Sequence, residues 1–313
     1  MRNVFVDMKA YLEPIILIAA IIIGSLSALV YSLPASIIDY SIIAMLCCLF
    51  FNVSIDHLLR GAKNKKYLSI AWAVNFLLLP TIAFMILSTF VDQSSMLFVG
   101  LIFYLVAPCT DWFLGFTKLA NGDVDLNCAL LPINLLSQIL LLPLYLFLFT
   151  SRNTHIEVDT FFNLLLHWVL YPFLFGQCIR YICAKISSAL LGKCTVIAER
   201  GMVLALAVLV FSIFNNNIQS LIGNLSILPI TLLVVLCFFL SVYFLGEFIS
   251  KKAVLARSEK ASLIITSSAR NTPLMLAISV GLFPNETVIQ LVLILGMLIE
   301  FPHLILLSFL LRK

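Results

Sequence analysis

The stretch Ala107-Pro108-Cys109-Thr110-Asp111 interrupts a long apolar run, and Ala269-Arg270-Asn271-Thr272-Pro273 interrupts another. A gapless shift of 162 residues lays one on the other. The same shift puts the turn Gly122-Asp123 on Pro284-Asn285, and Gln138 on Glu300. Each pentapeptide combines a proline with polar residues in the middle of a hydrophobic segment. Proline removes a helix hydrogen bond and turns the residue before it away from helical geometry. The freed backbone groups cannot face lipid and must line a cavity or be buried in protein. Two interruptions at corresponding places are the sequence mark of a transport site built from broken helices.

Composition supplies the membrane around those breaks. Of 313 residues, 62% are hydrophobic and 11% charged, with a mean hydropathy of +1.13. A soluble chain carries about 25% charged residues. A cytosolic enzyme, a nucleic-acid binder and a disordered regulator are thereby excluded. A crossing needs about 20 apolar residues, and the hydropathy predicts ten spans, near 12–31, 37–57, 67–89, 95–119, 124–149, 161–185, 197–217, 226–250, 261–283 and 286–310. No run alternates as a barrel strand does. The expected fold is therefore all-α and polytopic, a single integral membrane domain.

The basic residues orient it. Of 19 Lys and Arg, 17 fall in the two termini and the even-numbered connections, Arg152 falls on the other side and Arg270 inside a span. Such a split predicts cytoplasmic N- and C-termini. Five spans per half give the halves opposite orientations, so a repeat must be inverted, with residues 1–155 as the first half and 156–313 as the second.

Charges inside spans mark the candidate site. Asp111 and Arg270 lie in the two breaks. Glu300 lies about 21 Å into the last span at 1.5 Å per residue, in the hydrocarbon core. A charge there costs about 2.5–3.5 kcal/mol and faces a cavity or a partner. Asn134 and Gln138, spaced i, i+4, share a helix face. The predicted substrate-binding set is Cys109, Thr110, Asp111, Asn134, Gln138, Arg270, Asn271, Thr272 and Glu300. Two readings stay open within it. The two amides also suit simple interhelical glue, and Cys109 is one of eight cysteines, small apolar packers as a class. If Asp111 and Arg270 pair, the site offers an anion little net charge; a free Arg270 favours one.

Other chemistries lack their motifs. No C-x-x-C pair suggests a metal or a disulfide framework, and no H-E-x-x-H, G-x-S-x-G or G-x-x-x-x-G-K sequence suggests an enzyme or an ATP-driven pump. No cofactor or nucleic acid is expected; the expected partners are a small-molecule substrate, a coupling ion and the lipid bilayer.

Residues 107–138, APCTDWFLGFTKLANGDVDLNCALLPINLLSQ, resemble the bile acid/sodium symporter superfamily and, within it, the arsenical-resistance permease branch. Cys109, Gly122-Asp123, Asn134 and Gln138 occur in that branch's order, and Glu300 stands two residues before Pro302 in its last helix. The resemblance implies ten helices, with crossed broken helices four and nine in a core domain and the others in a panel domain. It ties Cys109 and Glu300 to arsenite export. Two departures stand out. Pro108 replaces an arginine usual before the cysteine, and Arg270 stands where the ninth helix usually has a small or amide residue. Arg270 would repel a sodium ion, so a proton is the expected coupling ion. The expected function is secondary transport across a plasma (inner) membrane. Its expected cargo is arsenite, which a soft thiolate at Cys109 suits while Glu300 carries the proton. The alternative is sodium- or proton-coupled transport of a small organic anion held by Arg270.

Overall fold

The computed structural model describes residues 2–34, 36–53, 64–110, 113–149 and 165–312. Among them the secondary structure is helical, with no strand beyond one isolated bridge. Twelve helices follow in order: α1 (Arg2–Ser27), α2 (Ser36–Asn52), α3 (Lys65–Phe90), α4 (Met96–Val106), α5 (Phe113–Leu119), α6 (Val124–Phe149), α7 (Tyr171–Ile186), α8 (Ser188–Gly223), α9 (Leu228–Lys252), α10 (Arg257–Ser268), α11 (Thr272–Leu282) and α12 (Thr287–Arg312). Five of them, α3, α6, α8, α9 and α12, are long and apolar enough to cross a bilayer. The 26 residues of α6 alone reach about 39 Å. Large apolar side chains such as Leu140, Phe147, Leu204 and Phe244 are exposed along these helices, as suits a polytopic protein whose outer surface meets lipid. Gly122-Asp123 makes the turn between α5 and α6, preceded by Asn121 at φ 56°.

The chain forms two compact units, each assembled from separated stretches of sequence. The first comprises residues 1–53, 156–225 and 276–287. Close backbone approach holds it together. A Cβ on Gly24 would come within 2.6 Å of the Phe211 carbonyl oxygen, and one on Gly176 within 2.9 Å of that of Cys47. Side-chain amides tie the helix ends. Asn215 on α8 accepts from the Leu33 N–H at 2.8 Å and donates to Ser27 Oγ and the Tyr31 carbonyl. Gln177 on α7 donates to the carbonyls of Phe50 and Val53 at the end of α2.

The second unit comprises residues 54–155, 226–275 and 288–313. It holds both interruptions together with α3, α6, α9 and α12. Backbone groups freed at an interruption need protein around them, and these long helices supply it. A π-turn, Val74–Leu78, sits in α3 just before Pro80 and widens the helix locally.

Candidate functional site

Both predicted interruptions are real and they meet. α4 ends at Val106, and Ala107 before the proline is extended at φ −103°, ψ 103°. α10 ends at Ser268, and Ala269 is extended at φ −78°, ψ 138°. The two extended segments form an antiparallel bridge between Pro108 and Arg270. The Cys109 N–H donates to the Ala269 carbonyl at 3.0 Å, and the Asn271 N–H donates to the Ala107 carbonyl at 2.9 Å. The shift of 162 residues exchanges these two hydrogen bonds, Cys109 becoming Asn271 and Ala107 becoming Ala269. Each break thus supplies the other with the partners it lost on leaving the helix.

Asn271 starts α11. Its Oδ1 accepts from the Leu274 N–H at 3.4 Å and its carbonyl from the Met275 N–H at 3.1 Å, as at a helix N-cap. Its Nδ2 donates to Thr110 Oγ1 at 3.0 Å, a second link across the crossing. Pro273 lies in the first turn of α11, where its missing N–H has no helical partner to lose. Asn134 on α6 reaches the crossing with Nδ2 at 3.5 Å from the Cys109 carbonyl. Its Oδ1, both amide atoms of Gln138 and the hydroxyls of Thr266, Ser268 and Thr272 are buried without a protein hydrogen bond. Buried polar atoms are nearly always paired. Such an accumulation near a helix crossing fits a place where a polar solute or ion is handled.

Arg270 is fully buried. Its guanidinium donates to three backbone carbonyls, those of Leu105 at 2.8 Å, Ser268 at 3.5 Å and Ser267. The ring of Phe238 on α9 lies 5.1 Å away, within cation–π range. Helix ends leave carbonyls without partners; the last carbonyls of α4 and α10 receive this cation, which suits the negative end of a helix dipole.

Glu300 on α12 is also buried. Its Oε1 accepts from the Arg270 N–H at 3.0 Å, and its Oε2 from the Tyr104 hydroxyl at 3.1 Å. The same hydroxyl lies 2.8 Å from the Gly296 carbonyl. One titratable carboxylate is therefore fastened to the backbone of a break.

The structure thus brings Cys109, Thr110, Asn134, Arg270, Asn271 and Glu300 into one hydrogen-bonded cluster. Gln138 lies buried one turn beyond Asn134, and Thr272 follows Asn271. Asp111, and with it the predicted pairing with Arg270, lies outside the described residues. Sequence reading missed Tyr104, Ser267 and Asn75. Tyr104 bonds Glu300. Ser267 donates to Asn75 Oδ1 at 2.9 Å, and Asn75 Nδ2 is buried without a protein partner. A lone amide in an apolar run five residues before Pro80 was the available signal for Asn75. His303, on the same face as Glu300, stacks on Phe239 with centroids 4.1 Å apart.

Comparison with known proteins comes to the same kind of molecule. The model of the sodium bile acid symporter family matches residues 40–247. No curated protein matches the chain. With well over half of its length matched, the chain belongs to the sodium bile acid symporter family. It is a multi-pass membrane transporter, of a family of sodium-coupled or related carriers of organic anions or similar solutes. The matched segment includes Cys109, Asn134 and Gln138 and ends before Arg270 and Glu300.

Proposed function

We propose that this member of the sodium bile acid symporter family is a proton-coupled secondary carrier that exports arsenite across the plasma membrane. In this reading ten segments cross the bilayer as two inverted five-helix repeats, with both termini cytoplasmic. The observation that carries it is the carboxylate of Glu300 bonded to the Arg270 N–H at the crossing that also contains Cys109.

The chemistry follows from the groups present. Arsenous acid is neutral and hydroxylated, and trivalent arsenic is a soft acceptor for sulfur. The Cys109 thiol replaces one hydroxyl: the S–H proton leaves with it as water, and an S–As bond forms. The unpaired atoms of Asn134, Gln138 and Thr272 suit the remaining hydroxyls. Protonation of Glu300 from outside removes the charge that strengthens its bond to the Arg270 N–H. That loosens the crossing and the hold on the solute; loss of the proton inside resets it. Each ligand biases one of two states, as alternating access requires.

A second reading rests on the full burial of Arg270. A buried cation with donors beyond the three engaged by carbonyls suits a small organic carboxylate. One substitution separates the readings. In cells lacking their own exporter, wild type should lower arsenite accumulation and Cys109→Ser should abolish that effect. No change with a well-expressed wild type would overturn arsenite export and leave the carboxylate carrier, which tolerates the serine.

A further inference from the structure

A second polar concavity lies in the same unit, away from the crossing. Where α9 ends, α10 begins and α12 ends, a cavity of ≈ 540 Å³ opens. Four charged side chains line it: Glu247, Lys251, Arg257 and Lys260. Glu247 and Lys260 neutralise each other at 2.8 Å. The surplus charge is therefore positive, carried by Lys251 and Arg257.

Ser250 also lines this cavity. It is 4% exposed, and its Oγ has no hydrogen-bond partner. Serines inside helices commonly bond the carbonyl one turn back, as Ser241 on the same helix does to Cys237 at 2.8 Å. Ser250 does not, although a buried unpaired hydroxyl is costly. Carbonyls in the last turn of α9 are already engaged. Leu255 N–H bonds that of Ser250 at 3.0 Å and Val254 N–H that of Lys251 at 3.3 Å. The helix end consequently presents little bare negative charge to a ligand. The opposite wall is apolar, made by Leu310 and Leu311 of α12.

We propose that this cavity binds the phosphate headgroup of an anionic phospholipid. Lys251 and Arg257 would meet the phosphate oxygens, the Ser250 hydroxyl would donate to one of them, and the leucine wall would carry the start of an acyl chain. Basic pockets between membrane helices at the headgroup level take such lipids. A soluble phosphate would use the cations and the serine but would gain nothing from the leucines.

The test uses the full chain, purified in detergent, with thermal unfolding as the readout. Phosphatidylglycerol should raise the melting temperature by several degrees more than phosphatidylcholine does, and glycerol phosphate should leave it unchanged. Lys251→Gln with Arg257→Gln should remove the difference between the two lipids. Should that double variant fail to fold, Ser250→Ala carries the test. It deletes an unpaired hydroxyl, so the lipid-free protein should melt no lower than wild type while its phosphatidylglycerol shift falls by half or more. Equal shifts from the two lipids would overturn the site, as would a phosphatidylglycerol shift unchanged in the variants. An equal shift from glycerol phosphate, lost in the variants, would replace the lipid by a soluble phosphate.

Discussion

Glu300 is held by the backbone of Arg270: the carboxylate accepts the Arg270 N–H at 3.0 Å, while the guanidinium turns to carbonyls of Leu105, Ser267 and Ser268. The two charges interact through a low-dielectric interior, yet replacing the Arg270 side chain leaves the amide in place. Removing one partner of a buried charge pair costs about 3–5 kcal/mol. Glu300→Gln and Arg270→Gln should each lower stability in that direction. The double variant should be better than the sum of the two by about 0.5–3 kcal/mol. Thermal or denaturant unfolding of the four proteins gives the coupling; strict additivity would show that the two charges do not sense each other.

Gly296 keeps Tyr104 on Glu300. A Cβ at position 296 would stand 2.7 Å from Tyr104 Cε2 and 2.8 Å from Cζ. Gly296→Ala should therefore push the ring aside and cost about 1–3 kcal/mol by overpacking. Transport should fall with it, since the hydroxyl leaves both Glu300 and the Gly296 carbonyl. Tyr104→Phe supplies the control: it should lose the hydrogen bonds while keeping the ring in place, and so separate packing from the effect on Glu300.

Val254 closes the Schellman turn after α9 at φ 52°, a region that costs an L-residue about 1–2 kcal/mol. It is 83% exposed, so its side chain contributes little packing. Glycine loses about 0.5–1 kcal/mol of backbone entropy there, which leaves a net gain. Val254→Gly should raise the melting temperature; a lower value would mean the valine packs more than its exposure indicates.

The thiols of Cys183 and Cys194 lie 3.6 Å apart across the junction of α7 and α8. A mild oxidant such as diamide should join them, with two thiols lost to maleimide labelling. Cys194→Ser should abolish that loss. An unchanged thiol count after oxidation would show that the side chains cannot turn to the dihedral a disulfide requires.

Asn271 performs two tasks, capping α11 and bonding Thr110. Loss of a cap alone costs about 0.5–2 kcal/mol. Asn271→Ser should keep the cap and lose the amide donor to Thr110 without adding a buried charge, and so should be milder in stability than Asn271→Ala. Equal destabilisation by both would place the main contribution on the Thr110 bond.

What the linear order of residues determined was the class of molecule and the position of its interruptions. Both are local properties. Apolar runs in 313 residues declare a membrane protein, and Pro108 and Pro273 limit the helix within a few residues of themselves. The shift of 162 residues put the two interruptions at corresponding places, and the crossing then paired their backbone groups with each other. Tertiary structure alone decided what those groups do. Arg270 reads as a substrate cation in sequence, but its carbonyl partners include Leu105, 165 positions earlier, brought near only by the crossing. Tyr104 and Asn75 look like ordinary span residues until Glu300 and Ser267 are set beside them. Ser250 looks like a surface serine until folding buries its hydroxyl without a partner. Hydropathy and proline act within one helix turn, whereas the pairing of buried polar groups depends on which distant helices meet. The long-range contacts of the second unit supplied that information.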